Sequence, residues 1–333
     1  GEAVAIIAGD RDVLDNLDLS DFPVSWVPLS PTLNPAEALV DGARQLHPER
    51  PGNILVQGRV AQGNSKSGLA QATHVIEAEI ETSFVEHAYI EPEAGSAWMD
   101  GDTLVIQACT QAPVMDQESV ATILNLQKDK VRIIPTAAGG GFGSKLDISL
   151  QPFIGLVALK TGRPARMVYE RSESMAATTK RHPALMRARI GIHSNGEISG
   201  MEFEGDFNTG PYASWGPTVA NRVPVHASGP YRTPNYLATT RAVLTNGPVA
   251  GAFRGFGVPQ AAILQETIYD KLAETVGIDR LDFRIMNALR DGDRTVCGQE
   301  LLGVGIVDCL EALKPSWARS EEHTSELQSQ FRI

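Results

Sequence analysis

A mixed α/β fold of the α+β kind is what this sequence predicts, on three observations. Beyond Thr73, stretches with strand periodicity alternate with stretches of helix periodicity, which argues for sheets covered by helices. Asn195-Gly196 lies inside the apolar stretch 186–207 and is a strong hairpin signal. A glycine-rich loop, Ala138-Gly139-Gly140-Gly141-Phe142-Gly143-Ser144-Lys145, follows a strand-like segment (130–135) and precedes a helix-like one (148–159).

The elements follow in order. Residues 3–7 are apolar and read as a buried strand. Pro28, Pro31, Pro35, Pro48 and Pro51 mark a loop-rich crossover. Residues 67–72 read as a short helix. From Thr73, Ile76, Ala78 and Ile80 alternate with Glu77, Glu79 and Glu81, the period of a half-buried strand. A domain boundary is expected within 63–73. Residues 102–110 form a strand that delivers Gln111 at its end. Residues 113–126 form a helix with Val120, Ile123 and Leu124 on one face. A short strand is expected at 166–170. Residues 260–276 form an amphipathic helix ended by Gly277, and Asp279 caps the next, which runs to Leu289. Residues 304–313 form a third.

Composition bounds the function. The chain has 333 residues, 42% hydrophobic and 21% charged, values that allow a large core. A net charge of −11 argues against a nucleic-acid partner. No apolar run is long enough for a membrane-spanning helix. Cys109, Cys297 and Cys309 lack the paired spacing of zinc or iron–sulfur ligands, so they read as reduced, buried thiols. The seven histidines do not cluster as a ligand set and read as surface or hydrogen-bonded residues. Cytoplasmic residence is the default expectation, with a periplasmic one left open. Residues 319–333 read as the translation of a sequencing adapter, a tail expected to have no fixed structure.

The glycine loop carries the chemistry. Without Cβ atoms its main chain can approach a polar ligand closely, and Phe142 supplies one aromatic wall. The order Gly143-Ser144-Lys145 is not that of a P-loop. The third glycine of a dinucleotide fingerprint would fall at Ser144, so a nicotinamide dehydrogenase reading fails.

With residues 106–113 (Ile-Gln-Ala-Cys-Thr-Gln-Ala-Pro) and 251–260 (Gly-Ala-Phe-Arg-Gly-Phe-Gly-Val-Pro-Gln), this loop resembles the molybdenum hydroxylases, the xanthine dehydrogenase and aldehyde oxidase family. Residues 86–93, 161–164, 181–183 and 292–293 match as well, so the resemblance covers roughly residues 1–318. It implies a chain truncated at both ends, with three parts. Residues 1–66 would be a partial hammerhead-type α/β domain, 67–318 the first molybdopterin-binding domain, and 319–333 the tail.

The resemblance also implies a molybdenum–molybdopterin cofactor, in its cytosine dinucleotide form, with no direct protein ligand to the metal. Gln111 would point a neutral amide at an oxygen of the metal centre. Gly140, Gly141, Phe142 and Gly143 would lie against the metal–pterin unit, and Arg254 would set a positive charge beside it. Phe256 would pack on a flat substrate and Arg222 would grip it. Leu146 stands where purine-oxidising members carry a glutamate, with Asp147 next to it, which favours an apolar aldehyde or N-heterocycle over xanthine. Iron–sulfur and FAD groups would reside on partner subunits or domains of a dimeric enzyme. The family's general base, a glutamate near the far C-terminus, would lie beyond Ala318, so the chain alone is expected to be inactive. Glu91, in Glu-Pro-Glu, reads as a structural hydrogen-bond acceptor at a loop. Surfaces meant for the remainder of the enzyme are expected to be exposed as apolar patches. The competing reading is a non-catalytic scaffold or binding module that keeps the fold.

Overall fold

The computed structural model describes residues 3–330, with side chains of the last helix described as far as Ser320. In chain order the helices are α1 (Arg11–Leu14), α2 (Pro35–Ala38), α3 (Ser65–Ala70), α4 (Pro113–Leu124), α5 (Gln151–Thr161), α6 (Arg171–Ala177), α7 (Gly216–His226), α8 (Val258–Thr275), α9 (Arg280–Asn287) and α10 (Ile306–Gln330). The strands are β1 (Ile54–Gln62), β2 (His74–Thr82), β3 (Ala94–Asp100), β4 (Thr103–Ala108), β5 (Val131–Pro135), β6 (Ala165–Val168), β7 (Ala184–Ile192), β8 (Ile198–Gly210) and β9 (Tyr236–Leu244).

They form two mixed sheets. The first has strand order β1-β9-β8-β7-β2, in which only β8 and β9 run parallel. Its β7–β8 hairpin turns at Asn195-Gly196 as expected, with Gly196 at φ 87°. One sheet face carries Met186, Ile190, Phe203 and Phe207, which pack under Val219 and Val223 of α7 and Leu264, Ile268 and Leu272 of α8. Burying each such side chain contributes about 1.5–3 kcal/mol. The opposite face is ionic. Arg187 pairs with Glu79, Arg189 with Glu77 and Glu202, and Arg241 with Asp206. A cavity of about 510 Å³ on this face is lined by Arg59, Arg187, Glu204, Asp206 and Arg241.

The second sheet has order β5-β4-β3-β6, with β4 and β5 parallel and the other pairs antiparallel. Leu104 and Ile106 of β4 pack on Val120 of α4 and Ile154 and Ala158 of α5. Parallel pairing sends the chain out of β4 and β5 at the same sheet end, so residues 109–112 and 136–143 leave side by side.

Several expectations change. Residues 3–7 form no strand: they pair with none of the described strands, and Val4 and Ile7 are exposed. Strand β1 precedes the boundary expected at 63–73, yet it pairs with β9 inside the first sheet. In α4 the buried positions are Asp116, Val120 and Ala121, while Ile123 faces solvent. Cys109 is buried, but Cys297 and Cys309 are exposed. His182, expected at the surface or hydrogen-bonded, lies in the interior with its Nε2 unpartnered. The tail expected to lack structure continues α10 to Gln330. Helix α9 starts at its expected cap, where the Asp279 carboxylate accepts from the Leu281 and Asp282 amides. No helix of the described residues is long and apolar enough to cross a membrane.

Candidate functional site

The three segments singled out in the sequence meet. The Gly143 amide donates to Oε1 of Gln111 at 3.0 Å. The Arg254 amide donates to the carbonyl of Phe142 at 2.9 Å. Because Oε1 of Gln111 is engaged, the side-chain NH2 of this exposed residue is left as a donor. The exposed Arg254 guanidinium pairs with no other described side chain.

The loop exists in this form because of its glycines. Gly140 and Gly143 sit at φ 104° and 114°, and Phe142 between them is itself left-handed at φ 52°. Such a conformation costs a non-glycine residue about 1–3 kcal/mol. A Cβ on Gly141 would lie 2.6 Å from Gln111 Oε1, and one on Gly143 would lie 2.6 Å from the Ala252 carbonyl. Side chains here would therefore push the three segments apart. Phe142 projects with 48% of its surface exposed. Ile90, Val114 and Met115, close in sequence to Glu91 and Gln111, are exposed apolar side chains as well.

Arg222 and Phe256, each assigned to the substrate by the resemblance, also come together. The Arg222 guanidinium lies 5.5 Å from the centre of the Phe256 ring, and Trp215 meets that ring edge-on at 5.9 Å. Leu146 is half-buried in the 3₁₀ turn Ser144–Leu146 behind the loop. Its neighbour Asp147 is drawn into a cavity of about 350 Å³ on the inner side of the loop, where it accepts from the Ser214 hydroxyl at 2.8 Å. Burial pushes the Asp147 carboxyl up, against the opposing Ser214 bond.

Sequence reasoning missed what lies beneath the loop. Lys145, dismissed there as a misplaced P-loop lysine, is buried, and its ammonium lies 2.8 Å from Oε2 of Glu91. That same oxygen accepts from the Gly139 amide at 2.9 Å, so Glu91 is the loop acceptor expected, with a cation attached. Burial pushes the Glu91 carboxyl up. Hydrogen bonds from Cys109, Lys145 and the Gly139 amide, with the Lys145 charge, outweigh this and hold it at about 2. Burial and the Glu91 contact raise the Cys109 thiol. Beside the second glycine segment, Arg181 lies 3.8 Å above the Phe253 ring, and its guanidinium donates to the Arg254 carbonyl at 2.9 Å. His87 stacks on that same ring at 4.0 Å and shares a 2.8 Å hydrogen bond with the Ala252 carbonyl. No sequence period marks these contacts. The available hints were the lysine inside the glycine run and the Arg-His-Pro tripeptide.

Among the described residues no cluster of His, Cys, Asp and Glu could hold a metal ion directly. The site offers a free amide donor, bare main chain and an unpaired guanidinium, and this donor set fits an anionic or oxygen-rich ligand.

Comparison with known proteins points the same way. A family model described as the molybdopterin cofactor-binding domain matches residues 46–288. The nicotinate dehydrogenase large molybdopterin subunit of Eubacterium barkeri is 36% identical over 313 residues, covering 93% of this chain and 73% of that protein. The xanthine dehydrogenase molybdenum-binding subunit of Escherichia coli O157:H7 is 30% identical over 93% of this chain but only 42% of its own length. The solved aldehyde oxidoreductase of Desulfovibrio gigas superposes with a TM-score of 0.86 at 27% identity, over 90% of this chain and 33% of that one.

Proposed function

This chain belongs to the molybdenum hydroxylases as a molybdopterin cofactor-binding domain, and on that premise we propose that it forms one wall of the active site of an enzyme that oxidises an aldehyde or N-heterocycle with water as the oxygen source. The observation that carries the proposal is the junction of Gln111, Gly143, Phe142 and Arg254 through two hydrogen bonds.

When bound, the molybdenum–pterin group supplies the two-electron oxidation that the side chains cannot perform. The protein's part is binding and orientation. The Gln111 NH2 donates to an oxygen of the cofactor, and the main chain of Gly140, Gly141 and Gly143 admits it without steric conflict. Arg254 places a fixed positive charge opposite its anionic atoms. Phe256 offers a ring face to a flat substrate, and Arg222 holds a carbonyl or carboxylate on it. Leu146, in place of an acid, matches a substrate that needs no hydrogen bond there. We assign the general base to protein outside this chain.

The names of the relatives describe subunits, which supports partner subunits; we propose that these carry iron–sulfur and FAD groups in a dimeric, cytoplasmic enzyme whose cofactor is in its cytosine dinucleotide form. The test is to express the chain within its full enzyme and with its partner subunits, and to measure molybdenum content and oxidation of benzaldehyde, nicotinate and xanthine. Stoichiometric molybdenum with turnover of the first or second substrate is expected. Retention of the fold without any molybdenum would support a scaffold instead.

A further inference from the structure

This inference rests on the reading of the glycine loop as a cofactor cradle and adds the device that holds it. Lys145 is a lysine with only 3% of its side chain exposed, placed immediately behind a surface loop. An ammonium buried this far is unfavourable unless paired and hydrogen-bonded. Here it has the Glu91 carboxylate at 2.8 Å, the Glu91 carbonyl at 3.0 Å, the Cys109 sulfur at 3.3 Å and the Tyr89 ring face at 4.6 Å.

The partners of this pair span the site. The main-chain carbonyl of Lys145 accepts the Gln111 amide at 2.9 Å. The carboxylate of Glu91 accepts the Gly139 amide at 2.9 Å, and the Glu91 amide donates back to the Gly139 carbonyl at 3.2 Å. Gly139 and Lys145 flank the glycine loop at its two ends, and Gln111 supplies the amide that faces the ligand. One ion pair therefore joins both ends of the loop to the Gln111 segment. The fit is close, since a Cβ on Gly139 would lie 2.4 Å from that of Glu91.

We propose that Lys145, acting through Glu91, is the positioning residue of the cradle, holding the glycine loop and Gln111 in the relative placement that lets both face one cofactor. It touches neither cofactor nor substrate. An apolar side chain of the same volume would fill the space at lower desolvation cost, but it would leave Glu91 without a cation and the Gly139 end of the loop without a fixed acceptor.

The test uses the full enzyme with its partner subunits, as wild type, Lys145→Met, Glu91→Gln and the double variant. Molybdenum per protein, kcat per bound molybdenum, KM and melting temperature are measured. Glu91→Gln is nearly isosteric and keeps the volume, so it reports even if Lys145→Met fails to fold. Each single change is expected to lower molybdenum occupancy about tenfold, the lower end of the effect of losing an outer-shell partner. In the loaded fraction kcat falls and KM holds, because Arg222 and Phe256 are untouched. The double variant should lose no more than the worse single, since both changes break one unit. Wild-type occupancy with wild-type kcat in Glu91→Gln overturns the proposal, as do losses that multiply in the double variant. So does a fall in melting temperature with unchanged kcat per molybdenum, which marks a merely structural lysine. A wild-type enzyme without molybdenum sinks the cofactor reading itself, before any variant is compared.

Discussion

Two turns of this molecule share a Gly-Phe-Gly sequence and the left-handed conformation of its last two residues, while Gly255 is left-handed and Gly141 is not, and the two differ in what surrounds them. Gly141-Phe142-Gly143 and Gly255-Phe256-Gly257 each place a phenylalanine in the left-handed region, at φ 52° and 47°, with the following glycine at 114° and 85°. Each closes with an amide-to-carbonyl bond, Ser144 to Gly141 at 3.0 Å and Val258 to Gly255 at 3.1 Å. The first turn leads into a short 3₁₀ turn and leaves its ring about half exposed. The second opens α8 and packs its ring on Trp215 beside the larger core. An ion pair buttresses the first from below, whereas stacked rings and Arg181 buttress the second. The difference teaches that the local strain of a Gly-Phe-Gly turn is set by its residues, while the tolerance of each turn to change is set by its support.

The largest predicted effect breaks the symmetry directly. In Gly143→Ala the new methyl meets main-chain atoms of Ala252 and Phe253, which cannot step aside, at a strained φ. In Gly257→Ala it meets a methyl of the buried Val223 side chain, also at a strained φ, but no main-chain atom at such close range. Gly143→Ala is expected to abolish molybdenum occupancy and to cost about 3 kcal/mol, at the upper end for such strain. Gly257→Ala should cost about half as much and retain cofactor, as metal analysis and melts of the full enzyme would show.

A second test removes the rings. Phe256→Ala should destabilise by about 2 kcal/mol, below the value for a fully buried ring because Phe256 is only partly buried. It should also raise KM, while Phe142→Ala should change stability by under about 0.5 kcal/mol and act on cofactor retention alone. Equal stability losses would dissolve the comparison.

A third uses pH. His182, next to Arg181, is pushed down to about 3 by burial and then by the neighbouring Arg181 charge. Its folded value lies below the unfolded one near 6.5, so the unfolded chain binds the extra proton between the two. Stability is therefore complete above about pH 6.5 and declines as pH falls toward 3, with a slope of at most about 1.4 kcal/mol per pH unit. Melts from pH 7 to 5 should show this decline, and His182→Gln should reduce it, leaving the part owed to His87 and His226, which burial also pushes down. Glu91, held at about 2, keeps its charge throughout that window, so the first turn should hold where the second weakens.

The smallest effect is a control on the ionic sheet face. Arg241→Gln breaks a half-exposed pair with Asp206 and should cost under about 1 kcal/mol. It should leave molybdenum content unchanged, as both turns are elsewhere.

Much of this was legible without coordinates, for local reasons. The hairpin at Asn195-Gly196, the Asp279 cap and the alternation of β2 are written in neighbouring residues. Strand β1 was not, because Gly58 interrupts its pattern. That glycine lets α7 approach, since a Cβ there would lie 2.7 Å from the Ala220 carbonyl. Strand β9 was missed because its core positions are as small as Ala238, Thr240 and Ala242, which carry little periodic signal.

By itself the sequence determined the bare main chain of 139–143, the amide at Gln111 and the guanidinium at Arg254, since residue type alone decides which groups a segment can offer. Only the tertiary structure decided that Lys145 would find Glu91, 54 positions away, and that Arg254 would close on Phe142. Partners so distant are selected by which strand ends a parallel sheet brings together and by how much charge its interior will admit, and neither quantity exists until the chain has folded.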